Sequence, residues 1–239
     1  GITLVGLTIT GDTAVLQVEN TRHPLVAQMI GRTARVLAAD LPANIKVFAV
    51  EPTAQGMPVA RVTLERGSLR ALEYNADQAA LGLAAAMFSP AEMGADLDLG
   101  QTPQFGWGFT PYVSMSLFDP ESPLRGDVGL QSTAKYAFSP NLSISGAVRL
   151  KVAGNAGSSD RVSGSVLPHV RSDALLYAQN GASGLENLTV DHFGRIGPEI
   201  FTHISAGYLE PMFAGVVTEV LWQPVASRLS LGAELGHVM

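Results

Sequence analysis

Residues able to do chemistry are few in this chain and widely spaced. Histidines stand at positions 23, 169, 192, 203 and 237. None pairs as His-x-x-x-His or with Glu in the pattern of a zinc protease. His192 and His203 fall in successive strand-like runs and can approach on neighbouring strands. Without further ligands such a pair reads as polar wall residues rather than a metal site. Carboxylates recur at Glu186, Glu199, Glu210, Glu219 and Glu234. A glycosidase needs two of them facing each other across a sugar, and strand position alone places no two at that distance. Arg171 and Asp173 share one face of a strand-like run, as a structural ion pair or as a pair that contacts sugar. Gly106-Trp107-Gly108 lacks any phosphate-loop or dinucleotide context, so its glycines read as bends or close-packing points. Trp107, with Phe105 and Phe109, is a platform for stacking on sugar rings or an anchor at a strand start. No Ser-centred nucleophile elbow occurs. Cysteine is absent, which excludes disulfides, thiolate metal sites and cysteine nucleophiles. No catalytic residue, cofactor or metal centre is expected.

The composition bounds the setting. The 239 residues carry 15 Lys plus Arg against 21 Asp plus Glu, a net charge of −6. An acidic chain without a basic cluster is a poor partner for nucleic acid, whose phosphates need clustered Lys or Arg. Charged residues are 15% of the chain, below the roughly 25% of an average domain. Apolar residues reach 46%, yet no run approaches the roughly 20 residues of a spanning helix. High apolar content without such a run points to buried strands or to a membrane β-barrel.

The elements that must hold these residues fall into two regions. Residues 1–75 read as a small α+β domain in the order strand, strand, helix, strand, strand, helix. The first two strands meet at Gly11-Asp12, a hairpin signal. Pro24 is placed as a first helical residue, and Leu25, Met29, Val36 and Leu37, with Ile30 beside them, form the apolar face of a helix that ends at Leu41-Pro42. Strands follow at 45–50 and 59–64, and Ser68 caps a short helix through Glu73. Residues 76–102 read as a linker with one short helix over 79–88 capped by Asp77. From residue 103 to 239 strand-like runs succeed one another without a helical interval. Over 142–150 the even positions are Leu142, Ile144, Gly146, Val148 and Leu150, and the odd ones Ser143, Ser145, Ala147 and Arg149. Residues 128–138 alternate likewise, with Gln131, Thr133 and Lys135 on the polar face, and so do 228–238. Less regular runs occupy 106–118, 171–179, 185–193, 199–209 and 213–222. Short turns such as Ser139-Pro140-Asn141 and Glu210-Pro211 separate them, and 153–168 reads as an exposed loop. Eight strand candidates in antiparallel succession form a meander.

A soluble sandwich and a membrane barrel both alternate; they differ in where the apolar face points. Three features favour the barrel. Several runs have the length of a tilted transmembrane strand. Aromatics stand next to turns, as Phe118, Phe138 and Trp222 do, where interfacial girdles form. The polar faces are rich in Ser, Thr, Gln and Gly and poor in Lys.

Particular strings carry a family resemblance. Residues 139–147 (SPNLSISGA), 167–173 (LPHVRSD) with Tyr177, and 184–188 (GLENL) resemble the YjbH family of exopolysaccharide-associated outer-membrane proteins. So does the run 206–216 (AGYLEPMFAGV) with Glu219-Val220-Leu221-Trp222. The helix at 30–37 and the segment 68–73 resemble the domain that precedes the barrel in this family. The resemblance implies a Gram-negative envelope protein that acts in making or exporting an extracellular polysaccharide. Family members are considerably longer, and this chain begins and ends in strand-like residues, so it reads as a fragment whose lack of a leader says nothing of location.

The expected fold is therefore mainly β, an antiparallel meander forming part of an outer-membrane β-barrel, preceded by a small α+β domain in the periplasm. The expected function is a non-enzymatic component of exopolysaccharide biosynthesis and export with a polar lumen. Its partners would be the polysaccharide, outer-membrane lipids and other envelope proteins of the system, but not nucleic acid. Trp107, Arg171, Asp173 and Glu219 are the candidate polysaccharide contacts. The alternatives are a soluble periplasmic carbohydrate-binding or scaffold protein and a polysaccharide-modifying hydrolase.

Overall fold

A computed structural model describes residues 1–72, 77–92, 104–117, 123–158, 164, 166 and 174–239. The chain divides into two compact units, Gly1–Thr102 with Phe193–Thr202 and Glu219–Ala233, and Pro103–His192 with His203–Thr218 and Glu234–Met239. Among the described residues no helix is long and apolar enough to cross a membrane.

The first unit is built on a mixed sheet. Strands β1 (Ile2–Thr10) and β2 (Thr13–Asn20) form the expected hairpin. Gly11 takes φ 61° at its tip, a conformation open to glycine at little cost. Helix α1 (Val26–Asp40) then crosses to β3 (Val47–Ala54), which lies parallel to β2. After the turn at Gln55 and Gly56 the short β4 (Met57–Pro58) folds back on β3, and β5 (Arg61–Glu65) pairs with it antiparallel. Helices α2 (Arg66–Leu72) and α3 (Gln78–Ala85) follow, and β6 (Met87–Ser89) closes the edge against β5.

Apolar residues from β2, α1 and β3 make the core. Leu16, Val18, Met29, Leu37, Phe48 and Val50 are all buried within it. The Arg66 guanidinium is buried beside this core, stacks over Phe48 at 5.2 Å, and donates to the oxygens of Leu41 and Pro42 at 2.9 Å. It thereby satisfies carbonyls at the α1 C-terminus that the helix leaves without partners.

Several boundaries differ from expectation. Leu25, not Pro24, precedes the first helical residue, and it is extended at φ −112° and ψ 124°. The Asn20 side chain accepts from the His23 N–H and donates to the His23 oxygen, both at 2.8 Å, and this turn places Pro24 outside the helix. The buried arc of α1 is centred on Thr33 and Leu37, which leaves Val36 57% and Leu25 66% exposed. Ser68 lies inside the first turn of α2 rather than before it, and Glu73 is outside the described residues. Helix α3 stops at Ala85 because Met87 and Phe88 extend to pair with Thr63 and Val62.

The face of β3 opposite the core holds an acid. Glu51 is fully buried; its Oε1 accepts from Arg61 Nε at 2.7 Å and its Oε2 from the Gln17 amide at 3.0 Å. Arg61 also binds the exposed Glu92 at 2.7 Å. Burial opposes the charge on Arg61, but its bond to Glu51, the Glu51 charge and Glu92 outweigh it and raise the guanidinium above its ordinary value. Within the same unit Arg195 donates to the oxygens of Pro58 and Ala91 at 3.0 Å and lies over the Phe201 ring at 5.6 Å.

A seven-stranded sheet follows in simple meander order. Its strands are β7 (Gln104–Leu117), β8 (Leu124–Ser139), β9 (Leu142–Gly154), β10 (Gly184–Gly197), β11 (Ile200–Glu210), β12 (Phe213–Trp222) and β13 (Leu231–Val238). The mainly β, antiparallel expectation holds. Among the described residues the sheet is open, with β7 and β13 at its edges. Pro111 lies in the edge strand β7, where a missing N–H is tolerated.

One expected strand is a helix. Residues 171–173 lie outside the described residues, and Ala174–Asn180 forms α4. Leu175-Leu176-Tyr177-Ala178-Gln179 does not alternate and is mostly good helix formers. Gly181 ends it by donating its N–H to the Tyr177 oxygen at 2.8 Å. Tyr177 stacks on Phe213 with ring centroids 6.3 Å apart.

Candidate functional site

Period two gives β7 to β10 two unlike faces, because successive side chains point to opposite sides of a strand. In β7 every odd position is apolar: Phe105, Trp107, Phe109, Pro111, Val113, Met115 and Leu117. Every even position is polar or glycine apart from Tyr112, whose hydroxyl donates to the Ala182 oxygen at 3.3 Å. The register carries both faces across the sheet. Val113 opposes Val128, Leu117 opposes Leu124, and Leu130 opposes Leu150. The apolar side chains are bare, with Phe105, Trp107, Phe109, Val113 and Met115 between 64% and 70% exposed.

The opposite face carries a network of ion pairs and hydrogen bonds, in which, among the described residues, Arg149 Nε and Glu186 Oε2 are buried without a partner. Lys151 pairs with Asp127 at 2.7 Å, and the same carboxylate oxygen accepts the Ala156 N–H at 3.0 Å. Arg149 pairs with Glu186 at 2.9 Å and lies over the Tyr112 ring at 4.6 Å. Glu186 reaches it because it is the extra residue of a bulge between Leu185 and Asn187, the kind of irregularity that re-aims a side chain. Gly129 is required beneath Tyr112: a Cβ there would stand 2.2 Å from the Leu150 oxygen and 2.6 Å from the ring. Further along, Asp191 accepts from Thr189 at 2.9 Å and lies 3.1 Å from His203 Nε2. The Ser145 hydroxyl lies 3.3 Å from that of Thr189. The Thr189 hydroxyl is directed at the Asp191 carboxylate, so it supports the anion and is not drawn toward an imidazole base.

Between β7 and β10 on the polar side lies a shallow cavity of about 450 Å³. Gly106, Gly108, Gln131, Thr133, Lys135, Ser145, Ala147 and Asn187 line it, together with Trp107, Ala134 and Gly146.

The residues singled out from sequence are not gathered in one place. The Trp107 ring lies on the apolar face, edge-on to Phe109 at 5.4 Å, and only its backbone borders the cavity. Glu219 is half-buried in β12 and belongs to the first unit. Arg171, Asp173, His169 and Phe118 lie outside the described residues. His192 and His203 do not approach on one face: His203 meets Asp191 on the polar side, whereas His192 follows Asp191 and points the other way. Among the described residues no group of three His, Cys, Asp or Glu is placed to hold a metal ion. The Arg149–Glu186 and Lys151–Asp127 pairs were not foreseen. Their only advance signal is that Arg149 and Lys151 share one parity of β9.

Comparison with known proteins places this geometry in a family. The YjbH family profile, described as "Exopolysaccharide biosynthesis protein YbjH", matches residues 1–239. A curated relative, "Uncharacterized lipoprotein YjbH" of Escherichia coli (strain K12), is 25% identical over 237 residues. That alignment covers 95% of this chain and 33% of the relative, so the chain spans about a third of the relative's length. No solved structure matches. The match runs the whole length of the chain, through the α+β unit and the two-faced sheet alike: the chain belongs to the YjbH family of exopolysaccharide biosynthesis proteins.

Proposed function

We propose that the seven-stranded sheet is part of the wall of an outer-membrane β-barrel that serves exopolysaccharide assembly or export without catalysing a reaction. The observation that carries this reading is the bare apolar face of β7, continued by register onto β8 and β9. Large apolar side chains more than 60% exposed along one face of a 14-residue strand are poorly suited to water. They suit hydrocarbon, and the strand is long enough to cross a tilted barrel wall. The polar face then lines the lumen. Its cations are mostly tied to carboxylates, so a passing polymer meets many weak contacts and few strong ones, as conduction requires. The α+β unit, with a core of its own, lies in the periplasm and docks other envelope proteins of the system or the emerging polymer.

The test uses the full-length protein in its native envelope. Inner and outer membranes are separated, and the outer-membrane fraction is extracted with carbonate and probed with external protease at 155–158. Retention in the membrane with cleavage to a discrete fragment is the expected result. A carbonate-extractable, protected protein sinks the barrel reading and leaves a soluble carbohydrate-binding or scaffold protein.

A further inference from the structure

We propose that the cavity between β7 and β10 is a binding subsite for an acidic sugar unit, with Lys135 receiving the anionic group and the Gln131 and Asn187 amides receiving hydroxyls. The inference rests on the polysaccharide reading above and names the sugar chemistry it requires.

Three observations converge on it. The first is unequal satisfaction of the polar face. Tyr112, Asp127, Arg149, Lys151, Glu186, Thr189, Asp191 and His203 all have partners there. By contrast, among the described residues, the side chains of Gln131 and Asn187, half-buried, and of Thr133 and Lys135, exposed, have no hydrogen-bond or ion-pair partner in the protein. These four surround one cavity, and a sugar hydroxyl both donates and accepts, as an amide does.

The second is charge. Arg149 and Lys151 each have a carboxylate within 3 Å, and His203 has one at 3.1 Å. Lys135, which lines the cavity, has none among the described residues. Lys135 is exposed and lies across from Gly106 and Ser145, and an ammonium in a cavity lined otherwise by neutral groups favours a ligand that supplies negative charge.

The third is the cavity's cause. A Cβ on Gly106 would meet nothing within 4 Å, and one on Gly108 only Thr133 Oγ1 at 3.7 Å. Packing therefore does not demand glycine here, as it does at Gly129. Glycine within a strand that nothing crowds leaves room for a ligand to approach the backbone. The volume of about 450 Å³ lies within the range of small-molecule sites, roughly 300–1,000 Å³.

The experiment is calorimetric titration of the detergent-solubilised full-length protein at low ionic strength, where an exposed charge is least screened. The probes are a galacturonic acid tetramer and the neutral galactose tetramer of the same linkage. The wild type is expected to prefer the uronate. Lys135→Met is expected to weaken uronate binding about three- to tenfold, the range for a partly exposed charge-assisted bond, and to leave the neutral sugar unchanged. Lys135→Arg retains the preference. Gly106→Leu, at a position where an added Cβ meets nothing within 4 Å, weakens both sugars by filling the cavity. The subsite is overturned, and the polysaccharide reading kept, if the wild type binds both tetramers equally or if Lys135→Met keeps the preference. Binding of neither tetramer by the wild type overturns both.

Discussion

A lysine placed at Val113 distinguishes lipid from water at the apolar face. Val113 is 68% exposed. In water, replacing an exposed valine by lysine changes stability by only about 0.5 kcal/mol in either direction. Against lipid the charge is penalised according to depth. The 14 residues of β7 span about 48 Å at roughly 3.4 Å each. A tilt of about 40° projects this to about 36 Å, or about 2.6 Å per residue, against an apolar band of about 25 Å. Val113 is then about 6 Å from the middle of the strand, inside the band. A lysine costs about 2–4 kcal/mol at the midplane and about 0–1 near the interface, which gives about 2 kcal/mol at Val113. Thr110, nearer the middle of the strand but on the polar face, is the control, and Thr110→Lys is expected to change stability little. The assay is urea titration of the full-length protein folded into vesicles, followed by tryptophan fluorescence and gel mobility. With a slope near 2 kcal/mol per molar urea, Val113→Lys lowers the midpoint by about 1 M relative to Thr110→Lys. Coincident midpoints for the two variants refute the lipid-facing assignment.

Three further outcomes follow from the same structure. Glu51→Ala leaves Arg61 half-paired and the Gln17 amide without its carboxylate, so it is expected to lower local stability by about 3 kcal/mol. Hydrogen exchange in β2, β3 and β5 then speeds up about a hundredfold, and Glu51→Leu with Arg61→Leu recovers part of the loss; unchanged exchange in Glu51→Ala counts against the network. Gly129→Ala drives a methyl against the Leu150 oxygen and the Tyr112 ring and is expected to cost about 1–3 kcal/mol in the urea assay, whereas Gly108→Ala is near neutral. Equal midpoints for these two remove the steric argument. The His23 imidazole is pushed below its ordinary value of 6.5 by burial and by Arg32 and Arg22. Its protonation therefore opposes folding, and its contribution to stability falls as pH drops through the unfolded value. NMR titration is expected to place its midpoint below 6.5 and to move it upward in Arg32→Gln; a midpoint that Arg32→Gln leaves in place removes the charge as a cause.

How much was legible follows from the range of each signal. Alternation is local, so 128–138 and 142–150 announced both faces of β8 and β9. The stricter alternation of β7 was hidden by Gly106 and Gly108, which carry no polarity, and by Pro111. Bulges are not local in this sense. Phe138 and Glu186 are extra residues in their ladders, and each shifts the parity on which face assignment depends. The Arg149–Glu186 pair needs both a register and a bulge, and no spacing along the chain encodes it. Glu51 directly follows the strand expected at 45–50, and nothing in its local spacing assigns it a face. Its burial depends on partners, Gln17 and Arg61, that only the sheet order brings beside it. The unfilled cavity was unreadable for a related reason, because glycine signals a bend, a close contact or open space in the same letter.

The reach of Arg195 sets an order of assembly. The larger buried cluster of the first unit uses residues from the first fifty positions, contacts close enough along the chain to form early. The Arg195 bonds to Pro58 and Ala91 span 137 and 104 positions, so they form only after the tip of the β10–β11 hairpin exists. Until then two carbonyls lack a donor that the finished fold supplies. A molecule whose sheet has not formed therefore carries an unfinished first unit, and proteolytic sensitivity near Pro58 becomes a gauge of strand assembly more than a hundred residues downstream.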